Sequence, residues 1–523
     1  MEVKSKKPLG KVCLVGAGPG DPGLITVTGL ERLRVCDAVV FDALANPVLL
    51  AQAPESAQRI DVGKRARAHK LTQDQTNQLL ADLALGGKDV VRLKGGDPYL
   101  FGRGAEECAF LAARGIPCDV VPGVTAGIAA PATAGIPVTH RKVASTVTIV
   151  TGHEDPAKGQ TSVDYEGLAK LIARGGTACF YMGVGRLQEI ADSLIGYGLP
   201  GGTAAAVVQW GTLPRQRDAR GTLDNIKARV ETAGVSSPAI IVVGEVAAID
   251  EPGLDFFTAR PLFGRRVLVT RTRQQASDLR RGLEVLGAEV IEAPTLELVP
   301  PEDWGEIDRA LGRAAQDFDW LVLTSANAVR VLGERLESLG LDARALGALK
   351  IAVVGDATEA ALWERLRVKP DFKPRDFSGS ALGEALVEAH DLGGKRLLLL
   401  RADIARPNLP EVLRAAGGEV TELVAYRTRL PAALPDDVVQ ALRGGIDWAT
   451  FTSSSTVRNL IALLGEDRGL LHGVRAASIG PLTSQTLREL GVAVEVEAPA
   501  AGVDALIRAI ADREILGEGT SDR

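Results

Sequence analysis

The stretch Val90-Val91-Arg92-Leu93-Lys94-Gly95-Gly96-Asp97-Pro98-Tyr99-Leu100-Phe101-Gly102-Arg103-Gly104 opens as an apolar, β-rich run. It continues as a loop with four glycines, one proline and the charges of Lys94, Asp97 and Arg103. Gly95 and Gly96 can adopt φ > 0 and leave bare backbone for a bound molecule to approach. A loop that only turned the chain would not need so many special residues together.

Similar β-rich runs recur at residues 12–15, 38–41, 147–150, 240–243, 267–269, 321–323, 351–354 and 397–400, separated by helical patterns. Several are apolar without alternation, as expected of strands buried on both faces. Strands alternating with helices predict α/β layers and mainly parallel sheets. With 523 residues the chain exceeds one core and predicts roughly three or four domains. A boundary is expected near 250–264, with 251–263 as linker, and a softer one near 141–144. The tail 516–523 is expected to be disordered.

Composition removes several function classes. A net charge of −6 and only 4% aromatic residues argue against a nucleic-acid binder, so an anion site must be a local basic patch. Five cysteines, all before residue 180 and without a Cys-x-x-Cys pair, fit reduced thiols in a cytoplasmic protein. His140 and His153 lack metal-ligand spacing, and no metal is expected. No apolar run approaches the roughly 20 residues needed to span a bilayer, and the first residues do not read as a signal peptide.

Beyond residue 264 the chain repeats itself. Arg266-Val267-Leu268-Val269-Thr270-Arg271 is echoed by Arg396-Leu397-Leu398-Leu399-Leu400-Arg401. Leu286-Gly287-Ala288-Glu289-Val290 returns as Ala416-Gly417-Gly418-Glu419-Val420. The segment 318–330, with Asp319-Trp320 and Ser325, returns as 446–458, with Asp447-Trp448 and Ser453. Residues 352–358 return as 477–483, ending in Thr358 and Thr483. Four matches in one order predict two similar α/β units facing each other across a cleft.

In the first half, Val15-Gly16-Ala17-Gly18-Pro19-Gly20-Asp21-Pro22-Gly23 suggests a dinucleotide fingerprint, with Asp42 as ribose partner. The fit is poor. Asp21 takes the third glycine position, and Pro19 and Pro22 remove N–H groups that would face a pyrophosphate. No glycine-rich loop ends in Gly-Lys-Ser/Thr, so a Walker phosphate loop fails as well. A nicotinamide-dependent dehydrogenase is thereby disfavoured.

Taken in order, Gly16–Asp21, Val39-Val40-Phe41-Asp42, Val62-Gly63-Lys64-Arg65, residues 91–104, Val121-Pro122-Gly123-Val124-Thr125-Ala126, Gly135-Ile136-Pro137-Val138-Thr139-His140-Arg141 and Thr151-Gly152-His153 closely resemble the uroporphyrinogen-III C-methyltransferases of the tetrapyrrole methylase family. The resemblance covers about residues 10–250. It implies two α/β subdomains, about 10–141 and 142–250, with S-adenosylmethionine held between them and S-adenosylhomocysteine as product. It places cofactor contacts on Pro19, Gly95, Gly96, Asp97, Leu100, Thr125, Ala126, Met182 and Gly211. Read without the resemblance, Met182 would be ordinary core. Asp42 is implied as proton acceptor and Lys64 as acid or substrate contact. Phe41 stands where the family usually has tyrosine. The resemblance also implies a homodimer through this half.

The implied chemistry suits these residues. A reduced tetrapyrrole is an electron-rich carbon nucleophile, and a sulfonium methyl is already electrophilic. The protein need mainly align them and exclude water, while a carboxylate balances the developing positive charge. The substrate is rich in carboxylates, for which Lys64, Arg65, Arg67, His69, Lys70, Arg92, Arg103, Arg141 and Lys142 are candidate cations. Residues 64–70 also read as a solvated loop, and Lys94 and Arg103 as braces of their own loop.

Residues 264–515 resemble the uroporphyrinogen-III synthases, which implies two flavodoxin-like α/β lobes, about 264–298 with 430–515, and 299–429. Residues 295–299 and 424–429 would be the connecting strands. The family reaction dehydrates hydroxymethylbilane, inverts its last ring and closes the macrocycle. Tyr426 is the implied proton donor. Thr358 and Thr483 are implied to bind substrate carboxylates from paired turns, a reading that stands beside helix capping.

The expectation is a bifunctional enzyme that makes uroporphyrinogen III and methylates it twice to precorrin-2, on the siroheme/cobalamin branch. One alternative is methylation of a later corrin intermediate. Another is a second half that binds ligand without chemistry.

Overall fold

The computed structural model of the chain describes residues 9–63, 71–153, 161–271, 277–375, 379–404, 408–500 and 502–518. The apolar runs picked from the sequence all form strands, and the strands build four five-stranded sheets.

The first sheet holds β1 (Val12–Gly16), β2 (Ala38–Phe41), β3 (Gln58–Asp61), β4 (Val90–Lys94) and β5 (Cys118–Val121), in the order β3-β2-β4-β1-β5. Every pairing in it is parallel. β1 and β4 are buried along their whole length, which is why neither alternates. Side chains on a strand point to opposite faces in turn. Val15, Val91 and Leu93 therefore pack with Leu33 and Leu49 on one face, and Leu14, Val40 and Val90 with Leu80, Ala84 and Leu111 on the other.

The second sheet holds β6 (Thr146–Thr151), β7 (Gly176–Tyr181), β8 (Ala204–Gln209), β9 (Arg217–Thr222) and β10 (Ala239–Val243), ordered β6-β7-β10-β8-β9. Here the expected parallel pattern gives way. Only β6–β7 is parallel, and β7–β10, β10–β8 and β8–β9 are antiparallel. The short connection 210–216 between β8 and β9 allows the antiparallel pairing, since a parallel one needs a long crossover. The sequence hid this because β8 is buried at every residue and so lacks alternation.

The second half adds β11 (Arg266–Val269), β12 (Glu289–Glu292), β13 (Glu297–Val299), β14 (Trp320–Leu323), β15 (Lys350–Val353), β16 (Arg396–Ala402), β17 (Glu419–Arg429), β18 (Trp448–Phe451), β19 (Arg475–Ser478) and β20 (Val494–Glu497). Its sheets read β12-β11-β18-β19-β20 and β13-β17-β16-β14-β15. The first has the 2-1-3-4-5 order of flavodoxin-like sheets. The order β12-β11-β18-β19 equals β17-β16-β14-β15, strand for matching strand. Each sequence repeat is therefore divided between two sheets rather than forming one of its own. The first copy supplies β11 and β12 to one sheet and β14 and β15 to the other; the second supplies β16 and β17, then β18 and β19, in the opposite sense. The chain passes between sheets through β13, which pairs antiparallel with the end of β17, Glu297 opposite Arg429.

The described residues fall into two compact units, those within 1–267, 281–290 and 510–523, and those within 268–280 and 291–509. The segment 251–263 is packed: Phe257 and Leu262 are buried, and Phe257 meets the Phe263 ring edge-on at 5.6 Å. The last helix, Val503–Glu518, runs past residue 516, where disorder was expected. Glu514, 3% exposed, is held by Arg265 at 3.0 Å, which fixes the final turns.

Candidate functional site

At their carboxyl ends β1, β4 and β5 leave the first sheet through bare backbone. A Cβ on Gly123 would lie 2.2 Å from the Gly96 carbonyl oxygen and 2.7 Å from Gly16 Cα. A Cβ on Gly16 would lie 2.5 Å from Gly123 Cα. Three strand exits thus converge where no side chain fits. Gly96 N–H donates to Gly18 O at 2.7 Å, and Gly18 N–H returns to Gly96 O at 3.3 Å. Asp97 staples the same loops: Oδ2 accepts from Gly123 N–H at 3.0 Å and Oδ1 from Tyr99 N–H at 2.8 Å. Gly96 itself is left-handed, φ +68°, and a Cβ there would meet nothing within 4 Å. This is the open face of an otherwise crowded junction.

The second sheet closes the rim. Thr125 precedes the helix Ala126–Thr133, but its hydroxyl does not cap the helix. It bonds instead to the Tyr181 phenol, whose oxygen also accepts from Gly127 N–H. Burial raises the pKa of that phenol, so it stays protonated near neutral pH. Phe101 meets the Tyr181 ring at 5.3 Å. Met182 follows, half exposed and left-handed at φ +55°. A Cβ on Gly211 would lie 2.2 Å from Ala130 Cβ, so glycine lets this turn rest on the helix. Thr212, at φ +71°, donates its N–H to Thr133 Oγ1 and Gln216 Oε1, each at 3.1 Å, and its Oγ1 accepts from Asp21 N–H at 3.0 Å. Pro19 lies between the Gly18–Gly96 bridge and that Asp21 bond.

Pro19, Gly95, Gly96, Asp97, Leu100, Thr125, Ala126, Met182 and Gly211 come from five loops, and the Gly18–Gly96, Asp97–Gly123, Thr125–Tyr181 and Asp21–Thr212 bonds join those loops into one rim. Tyr181, Thr133, Thr212 and Gln216, which sequence reading missed, tie the rim together. Tyr181 carried a weak signal, a polar tip ending a buried apolar strand. Thr133 and Gln216 carried none, because they meet only through the fold. Non-glycine residues with left-handed φ concentrate here: Phe101, Arg103, Met182, Trp210 and Thr212. Such strain gathers where surrounding structure dictates the backbone. The rim offers backbone groups, the Asp97 carboxylate, hydroxyls and apolar side chains. That lining suits a cationic sulfonium and does not suit a phosphate.

Beside the rim, Asp42 follows β2 with its side chain 29% exposed. Its Oδ1 accepts from Leu44 N–H at 3.2 Å, and its Oδ2 lies 3.7 Å from Arg92 Nη2. Arg92 corrects a sequence expectation. It is 5% exposed, with Nη1 donating to Val40 O and Leu93 O and Nε bonded to Glu107 Oε1 at 3.3 Å. A guanidinium so enclosed is not available to a substrate carboxylate. Lys94 is equally buried, 3.1 Å from Glu107. Burial, followed by repulsion from Arg92, lowers its pKa. Arg103 is exposed and bonds to both Glu106 oxygens, at 2.9 and 2.7 Å. Arg141 and Lys142 are exposed in the turn before β6. Lys64, Arg65, Arg67, His69 and Lys70 lie outside the described residues.

In the second half, Tyr426 is buried in β17, and its phenol lies 3.1 Å from Ser325 Oγ. Ser325 caps the helix Ala326–Ser338 by accepting from Ala328 N–H. Thr358 and Thr483 occupy matching places, each three residues after an extended glycine cap, Gly355 or Gly480. Neither hydroxyl caps its helix, since glycine holds that position. The two turns differ in charge. Asp356 and Glu359 flank Thr358 and are both paired with Lys373, whereas the first turn around Thr483 carries no acid.

Comparison with known proteins agrees with this two-part layout. The profile of "Tetrapyrrole (Corrin/Porphyrin) Methylases" matches residues 11–227, and that of "Uroporphyrinogen-III synthase HemD" matches 277–508. The "Porphyrin biosynthesis protein HemD" of Ruminiclostridium josui is 37% identical over 482 residues, 92% of this chain and 94% of that protein. The "S-adenosyl-L-methionine-dependent uroporphyrinogen III methyltransferase" of Methanosarcina barkeri is 47% identical over 47% of this chain and 98% of its own length. The solved uroporphyrin-III C-methyl transferase of Thermus thermophilus, complexed with S-adenosyl homocysteine, is 35% identical, covering 46% of this chain and all of that one at a TM-score of 0.39. The chain belongs to the tetrapyrrole methylase family through its first half and to the uroporphyrinogen-III synthase HemD family through its second.

Proposed function

We propose that the second half cyclises hydroxymethylbilane to uroporphyrinogen III and that the first half methylates this product twice, giving precorrin-2. Membership of both families in one chain supports consecutive steps. The observation that carries the methylation is the junction of Gly16, Gly96 and Gly123, open at Gly96 and flanked by the Asp42 carboxylate.

S-adenosylmethionine, when bound, supplies an electrophilic methyl group. The chain's own part is placement. Gly95, Gly96 and Asp97 form one wall, and Thr125, Ala126, Met182 and Gly211 the other, with Pro19 and Leu100 between. Holding methyl and pyrrole carbon in line is worth several kcal/mol of barrier. Asp42 balances the charge that develops on the pyrrole and accepts the proton the ring loses. Arg92 Nη2 lies 3.7 Å from Asp42 Oδ2. Arg103, Arg141 and Lys64 are assigned to substrate carboxylates. In the second half, Tyr426 with Ser325 donates the proton that lets the terminal hydroxyl depart, while the turns after Gly355 and Gly480, in which the Thr358 and Thr483 side chains are themselves buried, offer backbone N–H groups to carboxylates.

We assign the methyltransferase to 10–250 and the synthase to 264–515, with the lobes divided near residues 298 and 430. The protein is proposed to act in the cytoplasm as a homodimer through its first half. Among the described residues no helix is long and apolar enough to cross a membrane. The test is direct. Purified protein given hydroxymethylbilane should yield the type III isomer, and adding S-adenosylmethionine should raise the product mass by two methyl groups. Type I isomer alone would refute the synthase assignment, and unmethylated uroporphyrinogen III the transferase assignment.

A further inference from the structure

β4 is buried on both faces yet carries two cations, Arg92 and Lys94, each 5% exposed. Being two residues apart, they point to the same face, the one covered by the helices Gln73–Leu85 and Gly104–Ala112. A buried cation is strongly unfavourable without a partner. The second helix supplies one in Glu107, which is fully buried. Its Oε1 accepts from Lys94 Nζ at 3.1 Å, Arg92 Nε at 3.3 Å and Gln73 Nε2 at 3.1 Å. Its Oε2 has no hydrogen-bond partner among the described residues. All three donors are thus gathered on the oxygen that fixes the Arg92 Nε edge. With Nη1 given to Val40 O and Leu93 O, the guanidinium has one direction left for Nη2, and that is toward Asp42 Oδ2, 3.7 Å away.

We propose that Glu107 is a positioning residue for the methylation, holding Arg92 so that its Nη2 orients the Asp42 carboxylate. The inference rests on the reading of Asp42 as proton acceptor. Glu107 touches neither substrate nor methyl donor. It acts through Arg92, with Lys94 as the second cation its charge balances.

The test uses the full chain with uroporphyrinogen III and S-adenosylmethionine, measuring kcat, both KM values and the thermal midpoint. Glu107→Gln should lower kcat between about tenfold and a hundredfold, the effect of misplacing a reacting group. KM for S-adenosylmethionine should stay within about threefold, because the rim residues are not altered. The midpoint should also fall, since two buried cations lose their partner. The double variant Lys94→Met with Glu107→Gln removes one charge of each sign, so it should recover the midpoint and leave kcat low. Recovery of kcat together with the midpoint would make Glu107 a mere charge balance and overturn the proposal, as would a Glu107→Gln enzyme with parental kcat. Glu107→Asp, which keeps the charge but shortens the reach, should give an intermediate kcat with a near-parental midpoint. An unmodified protein that does not methylate uroporphyrinogen III would refute the function, not this arrangement.

Discussion

Replacing Gly96 by alanine tests the methyl-donor wall at its open face. Two effects add. The residue sits at φ +68°, where an alanine is strained by roughly 1–2 kcal/mol. A smaller gain of about 0.4–1 kcal/mol comes from stiffening the unfolded chain. The net loss of stability is therefore about 1 kcal/mol, a fall of a few degrees in the midpoint. The new Cβ meets no protein atom within 4 Å, so the fold has no steric reason to move. It does enter the space assigned to the donor. Overfilling a packed contact by one methyl group costs about 1–3 kcal/mol, which corresponds to a five- to 150-fold loss of affinity, at about 1.4 kcal/mol per decade. Calorimetric titration with S-adenosylhomocysteine measures this directly, and cyclisation of hydroxymethylbilane by the same preparation reports on the untouched half. Gly123→Ala is the contrasting perturbation. Its Cβ would lie 2.2 Å from Gly96 O, so it should cost more stability than Gly96→Ala. Parental affinity in a folded Gly96→Ala protein would show that the donor does not lie against this face, and the proposed wall would fall with it.

Other outcomes follow from single contacts. Asp42→Asn should reduce methylation by about 10²–10⁴-fold, the usual worth of a general base, and leave type III formation unchanged; equal loss in both assays would point to unfolding. Tyr181→Phe keeps the ring against Phe101 but removes the phenol shared by Thr125 and Gly127. It should destabilise the first half by about 1–3 kcal/mol in denaturant titration. Tyr426→Phe should slow type III formation by about tenfold or more, with type I isomer accumulating instead, as separated by chromatography. Burial pushes the Cys179 thiol from 9.0 up to about 12. A folded pKa above the unfolded one gives stability that is complete below pH 9 and lost as pH rises toward 12. Cys179 should contribute a slope of about 1.4 kcal/mol per pH unit in that window, and Cys179→Ala should flatten the alkaline limb by that amount.

Much of the architecture was legible because strands buried on both faces advertise themselves as unbroken apolar runs. The same property concealed strand direction: β8 reads alike in a parallel or an antiparallel sheet, and only the short connection 210–216 separates the two. The repeat was legible as four matched segments, but not as a division of each copy between two sheets, since sequence order carries no information about which sheet a strand joins. At the site, glycines were the informative residues. Gly16 and Gly123 stand where backbone meets backbone and leaves no room for a Cβ, and Gly96 stands at a left-handed φ facing open space. Arg92 misled for a physical reason. A lone arginine within an apolar run is more consistent with a buried ion pair than with a free substrate contact, and Glu107, fifteen residues on, supplies the pair. Tyr181 gave only a weak signal, and Thr133, Thr212 and Gln216 gave none, because Thr133 lies about eighty residues from the two it joins.

The two halves also differ in where their backbones are strained, and the difference matches the chemistry proposed for each. Five non-glycine residues of the first half are left-handed at or beside the rim, whereas the second half shows only Arg367 among the described residues. Arg367 ends the helix Asp356–Leu366, an ordinary place for that conformation. Each strained residue costs about 1–3 kcal/mol and persists only where its surroundings impose it, as the Thr133–Thr212–Gln216 bonds and the Tyr181 bridge do in the first half. Methyl transfer demands collinear atoms, and rigid, over-determined loops supply that alignment. Ring closure of an already reactive chain demands chiefly that its carboxylates be held and its ends brought together. Helix starts capped by Ser325 and Ser453, or opening after Gly355 and Gly480, offer donors for that purpose without strain. Relaxing the first-half network should therefore depress methylation more than it depresses binding, while the described residues of the second half hold no comparable strain to relax.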